Sequence, residues 1–132
     1  MSAEDDICLG RLFFNAPTRI RPRHPHVIAS DPAQDPANVV VVNLSTEPCL
    51  GDVSYRVEAK EHPAVSEQSY IRCDFAEVTT TAVLKASLAK QEISLSQVVS
   101  AATLRKIQRA LGESRRPSRD LQGILRQQGF IK

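Results

Sequence analysis

Short apolar blocks separated by polar, proline-containing stretches run through this chain. The longest unbroken block is Val39, Val40, Val41 and Val42, followed by Asn43, Leu44, Ser45 and Thr46. Four β-branched residues in a row favour an extended backbone. With no polar alternation among them, they predict a strand buried on both faces. Ser45 and Thr46 then stand where a central strand leaves the core. Their hydroxyls either cap a turn or serve a binding site.

The flanking pattern predicts further strands. Residues 7–14 form a first strand, with Gly10 marking a bulge or a close approach of backbones. Pro17 and Pro22 make residues 15–23 a loop. Residues 24–30 form a second strand. In residues 53–58, Val53, Tyr55 and Val57 alternate with Ser54, Arg56 and Glu58, the mark of a half-buried strand. Residues 69–75 alternate too. They set Ile71, Cys73 and Phe75 on one face and Tyr70, Arg72 and Asp74 on the other. A helical turn over 82–89 and a last strand over 92–95 follow.

Ser100 then caps a helix that runs to Leu111, with Leu104, Ile107 and Leu111 on one face and Gly112 ending it. Pro117 and Ser118 open another helix, with a stripe of Leu121, Ile124 and Leu125 and a stop at Gly129. Strands first and helices last predict a mainly β fold, a small barrel or sandwich with a helical end.

Composition narrows the picture. At 132 residues and 42% hydrophobic content the chain has room for one real core. No run of about 18 apolar residues predicts a membrane span. The acidic start, through Asp5 and Asp6, has no basic-then-apolar signal, so a cytoplasmic location is expected. Cys8, Cys49 and Cys73 show no C-x-x-C spacing. Reduced thiols are therefore expected, with no metal site and no cofactor.

The net charge of +2 hides two basic clusters. Arg19, Arg21, Arg23, His24 and His26 stand together without an acid. From Arg105 onward there are eight Lys or Arg against Glu113 and Asp120. Such patches either solvate a surface or meet a polyanion or an acidic protein.

Three segments carry a resemblance. They are His24-Pro25-His26-Val27-Ile28-Ala29-Ser30, the apolar strand ending in Leu44-Ser45-Thr46, and Ser69-Tyr70-Ile71-Arg72-Cys73-Asp74. In that order and spacing they resemble the strands of the PemK/MazF/Kid toxins of bacterial toxin–antitoxin pairs. His62-Pro63 and the helix end at Leu111-Gly112-Glu113-Ser114 resemble a shorter PemK-like branch.

The resemblance covers roughly residues 7–112 and implies an SH3-like (PemK/CcdB-type) small antiparallel barrel with C-terminal helices. The barrel with its first helix would occupy 7–112, and a basic helical tail 113–132. It also implies a homodimer, an antitoxin partner, and metal-independent cleavage of single-stranded RNA through the ribose 2′-hydroxyl.

Carried over residue by residue, the resemblance makes Asp74 the base and Arg72 the phosphate-binding charge. A guanidinium stays protonated and so is a poor proton donor. The same two residues also read as a plain ion pair on a barrel strand. The chain departs from the family where His24 replaces the strand Arg, and where the loop over 15–23 lacks a Gly-rich Glu-Gln stretch. His24 and His26 share a strand face, so one of them is left to supply the missing acid. Ser45 or Thr46 would donate to a phosphate oxygen, and Arg19, Arg21 and Arg23 would line an RNA groove. An alternative on the same fold is a non-catalytic binder, of DNA gyrase or of an antitoxin chain.

Overall fold

The computed structural model describes residues 6–19, 22–48 and 55–132. Its strands are β1 (Arg11–Asn15), β2 (Pro25–Ile28), β3 (Val39–Ser45), β4 (Arg56–Val57), β5 (Ser69–Thr79) and β6 (Ile93–Val98). Its helices are α1 (Thr81–Ala89), α2 (Ala101–Glu113) and α3 (Arg119–Gln127). The strands make one antiparallel sheet in the order β4-β5-β3-β2-β1-β6. The sheet curls into a half-barrel, and the fold is mainly β with three helices, as the sequence predicts.

The valine run lies in the middle of that sheet. Val39, Val40, Val42 and Leu44 are wholly buried and Val41 is nearly so. Both faces of β3 are covered because each meets a different core. Val40, Val42 and Leu44 join Leu12, Val27, Ile71 and Cys73 beneath Ile107 and Leu111 of α2 and Leu121 and Leu125 of α3. Val39 and Val41 face the other way, with Phe13, Ile28 and Leu84 of α1. Full burial of each Leu or Ile contributes about 1.5–3 kcal/mol, so the helices hold the sheet chiefly through these few side chains.

Three sequence expectations change in detail. Residues 7–10 are not strand. Gly10 has φ +84°, its N–H donates to the Ile28 carbonyl and its carbonyl accepts from Val99 N–H. A Cβ there would sit 3.0 Å from Val98 Cγ1, so this glycine marks a close approach that a side chain would obstruct. Gly112 does not end α2, which runs on to Glu113. It is small because Ile131 packs against the helix there, 3.0 Å from where a Cβ would be.

The third change is in β5. Val41 pairs with Glu77, but Asn43 pairs with Arg72. β5 therefore carries three extra residues across this step, a bulge that reverses which face its side chains take. Ile71 and Cys73 are buried in the main core as expected, while Phe75 is turned out and is 59% exposed.

Among the described residues, no helix is long and apolar enough to cross a membrane.

Candidate functional site

On the sheet face turned away from α2 and α3, four strands set side chains in one row. Phe13 of β1 is opposite His26 of β2, His26 is opposite Asn43 of β3, and Asn43 is opposite Arg72 of β5. The row follows from register alone, since residues opposite one another on antiparallel strands share a face. Leu84 of α1 covers the neighbouring apolar part of this face. The row itself borders an open cleft of about 420 Å³ lined by His24, His26, Asn43, Ser45, Arg72 and Phe75, and also by Glu47 and Glu77.

His26 is held in a defined state. Its ring stacks on Phe13, with centroids 5.1 Å apart and planes 11° from parallel. Nδ1 lies 3.1 Å from the His24 carbonyl oxygen. A carbonyl only accepts, so Nδ1 carries the hydrogen and donates it. In the neutral ring the lone pair is then on Nε2, which lies 3.5 Å from the Asn43 side-chain nitrogen. Asn43 Oδ1 is buried and has no hydrogen-bond partner among the described residues.

Arg72 is also fixed. Its side chain is 11% exposed and that of Asp74 is 21% exposed. Nε donates to Asp74 Oδ1 at 2.9 Å and Nη2 to Oδ2 at 2.6 Å, a two-pronged pair. Nη1 donates to the Glu47 carbonyl at 3.2 Å, and the guanidinium lies 4.2 Å from the centre of the Phe75 ring. The sequence places Arg72 and Asp74 on one face, and there they are joined to each other. The fork of the guanidinium is filled by the carboxylate.

The remaining candidates spread along a second, adjoining cleft of about 640 Å³, which shares His24 and Ser45 with the first. His24 is half-buried, and its backbone N–H donates to Asn15 Oδ1. Ser45 Oγ accepts from Glu47 N–H at 3.1 Å, so this hydroxyl does cap a turn, and it also lines both clefts. Thr46 is exposed and lines the second cleft. Arg23 lines it too, with its guanidinium 3.9 Å from the centre of the Phe14 ring. Arg19 is exposed in the loop before β2 and lines neither of these clefts. Arg21 lies outside the described residues.

His62 has a structural place. It is 3% exposed, its Nε2 donates to the Gln97 carbonyl at 2.8 Å, and its Nδ1 accepts from Ala64 N–H.

Two site residues escape the sequence reading. Asn43 was legible in principle, as the polar residue that interrupts the apolar run from Val39 to Leu44. Phe75 was not, because strict alternation puts it in the core and only the bulge takes it out.

No family model matches the chain, and no curated protein matches it by sequence. Solved structures do share its fold. One is MazE–MazF (Form-III) from Deinococcus radiodurans, with a TM-score of 0.54 and 14% identity, covering 81% of this chain and 94% of that one. Another is an endoribonuclease in complex with its cognate antitoxin from Mycobacterial species, with a TM-score of 0.51 and 22% identity, covering 82% of this chain and 91% of that one. The fold is that of the MazF/PemK toxins.

Proposed function

We propose that the chain is a toxin-type endoribonuclease that cuts single-stranded RNA without a metal. The observation that carries this reading is His26, held with Nδ1 on a backbone carbonyl and Nε2 toward Asn43, in one row with Arg72. Nε2 takes the proton of a ribose 2′-hydroxyl as the 2′-oxygen bonds to phosphorus. The bond from phosphorus to the 5′-oxygen breaks, and that oxygen takes a proton from His24 in its imidazolium form. The products are a 2′,3′-cyclic phosphate and a 5′-hydroxyl. The substrate is RNA because only RNA carries the nucleophile.

The spacing supports these roles. Residues two apart on a strand are about 7 Å apart, and strands two apart are separated by about 10 Å. Base, acid and guanidinium thus surround a space the size of one phosphodiester. The Asn43 amide bounds the Nε2 side of the ring at 3.5 Å, and its buried Oδ1 lacks a partner among the described residues. Arg72, oriented by Asp74, contributes positive charge toward the phosphorane. Ser45 and Thr46 offer hydroxyls, and Arg19, Arg21 and Arg23 offer charge to the flanking strand.

The decisive assay incubates the protein with a mixed RNA pool in the presence of a chelator. Discrete fragments ending in cyclic phosphate are expected. His26→Asn keeps a polar side chain of similar reach but not the base. It should lower cleavage by about 10²–10⁴-fold with RNA binding retained. Undiminished cleavage by that variant would remove His26 from the mechanism, and an inert wild type would remove the nuclease reading.

An antitoxin partner and a homodimer belong to the same proposal. The two structures named above each hold a complex, MazE–MazF in one and an endoribonuclease with its cognate antitoxin in the other, and Val78 and Val83, on β5 and α1, are 40% and 53% exposed. Light scattering at micromolar concentration should give twice the chain mass. A monomer there would sink the homodimer.

A further inference from the structure

We propose that Phe75 is the platform on which an unpaired nucleobase of the bound strand stacks. The inference rests on the reading of the cleft as a nucleic-acid site and adds what occupies its Phe75 end. A large apolar ring that alternation assigns to the core is 59% exposed and lines the cleft instead. The bulge in β5 turns it there.

The ring is also held in place. One face lies against the Arg72 guanidinium at 4.2 Å, and that guanidinium is pinned by two bonds to Asp74 and one to the Glu47 carbonyl. With one face covered and the residue still mostly exposed, the second face meets solvent. A flat, fixed ring with one open face is what a base needs for stacking, and a cation behind the ring adds to the attraction.

Charge says why a base, and not a phosphate, goes there. The Arg72 charge is matched by Asp74, and Glu47 and Glu77 line the same cleft. Those carboxylates make the Phe75 ring a poorer place for a further phosphate than for a neutral base, whereas the scissile phosphate faces the Arg72 guanidinium and the two histidines. Phosphates are better placed toward His24 and the adjoining cleft, where Arg23 stands.

The test uses a mixed-sequence single-stranded DNA 12-mer, which lacks the 2′-hydroxyl and so reports binding whether or not the protein cuts RNA. The chain has no tryptophan, so F75W introduces a single reporter. Its fluorescence should be quenched saturably by the 12-mer. Phe75→Ala should weaken binding about 5- to 150-fold, the usual effect of removing one stacked base's partner. Its salt dependence should stay unchanged, because the ring touches no phosphate. Phe75→Leu, apolar but not flat, should resemble the alanine variant, whereas Phe75→Tyr should bind like wild type.

Binding by Phe75→Ala within twofold of wild type, or no quenching at saturation, overturns the proposal. So does a change of oligomeric state in Phe75→Ala with 12-mer binding intact, which would assign the ring to a protein interface. A quenched F75W protein whose parent leaves RNA uncut keeps the platform and rejects only the proposed cleavage.

Discussion

At the scale of single residues, the Arg72–Asp74 pair decides how the site is tested. Each Asp74 oxygen accepts from the guanidinium, and both side chains are mostly buried. Removing one charge from such a pair leaves the other poorly compensated in a low-dielectric setting. Asp74→Asn retains one acceptor, so a loss of about 1–3 kcal/mol of stability is expected. Cleavage should fall with it, because Arg72 loses its orientation. His26→Asn is expected to lower cleavage with little change in melting. Thermal denaturation of the two variants beside their cleavage rates separates the roles. A loss of about 10²–10⁴-fold in Asp74→Asn at unchanged melting would make Asp74 itself the proton acceptor.

At the scale of elements, β3 carries the fold and β5 carries the exception. Val41 is 3% exposed between Phe13, Ile28 and Leu84 on its own face. Val41→Asp puts an unpaired charge there, at a cost comparable with the whole stability of a small domain. The variant should be unfolded by circular dichroism, and a soluble variant with a cooperative, unshifted transition would contradict this account of the core. The same strand shows what the sequence discloses. Its burial, the pairing of His24 and His26 on one face, the Ser100 and Ser118 caps and the Gly129 turn all follow from local rules, and each is present. The row itself was not legible, because it depends on which strands are neighbours and in what register. Neither the order β5-β3-β2-β1 nor the three-residue bulge leaves a local mark in composition or period. Asn43 is therefore not singled out and Phe75 is set on the buried face, while Arg72 and Asp74 read both as site residues and as an ion pair, and the pair is what the structure shows.

At the scale of the molecule, the segment between β4 and β5 ties the sheet to the helices. Glu61 accepts from the Thr103 hydroxyl at 2.8 Å, from the Lys106 ammonium at 2.7 Å and from Glu58 N–H. Burial alone would raise its carboxyl pKa, but the bonds from Lys106, Glu58 and Thr103 outweigh it and hold the pKa below the ordinary carboxylate range. The folded-state value is thus lower than the unfolded one. The stabilisation is complete above about pH 4.5 and is lost as pH falls through the folded value. Lys106 is 41% exposed, which limits the contribution to about 1 kcal/mol or less. Chemical denaturation of wild type and Glu61→Gln should show a constant gap from pH 7 to about pH 5, closing toward pH 3. A gap that widens in acid would mean that another group governs this junction.

The strand order also has a temporal meaning. β1 lies between β2 and β6, with Arg11 opposite Val98, so the sheet is not laid down in the order in which the chain is made. As the polypeptide emerges from a ribosome, β1, β2 and β3 pair with near neighbours, and such local pairing is fast. Arg72 joins His26 and Asn43 only when β5 docks on β3, and the β1–β6 edge closes later still. A nascent chain that has not yet exposed β5 has two histidines on one strand and no guanidinium across from them. The cleft is therefore complete only once β5 has docked on β3, whatever the chain before it has already folded.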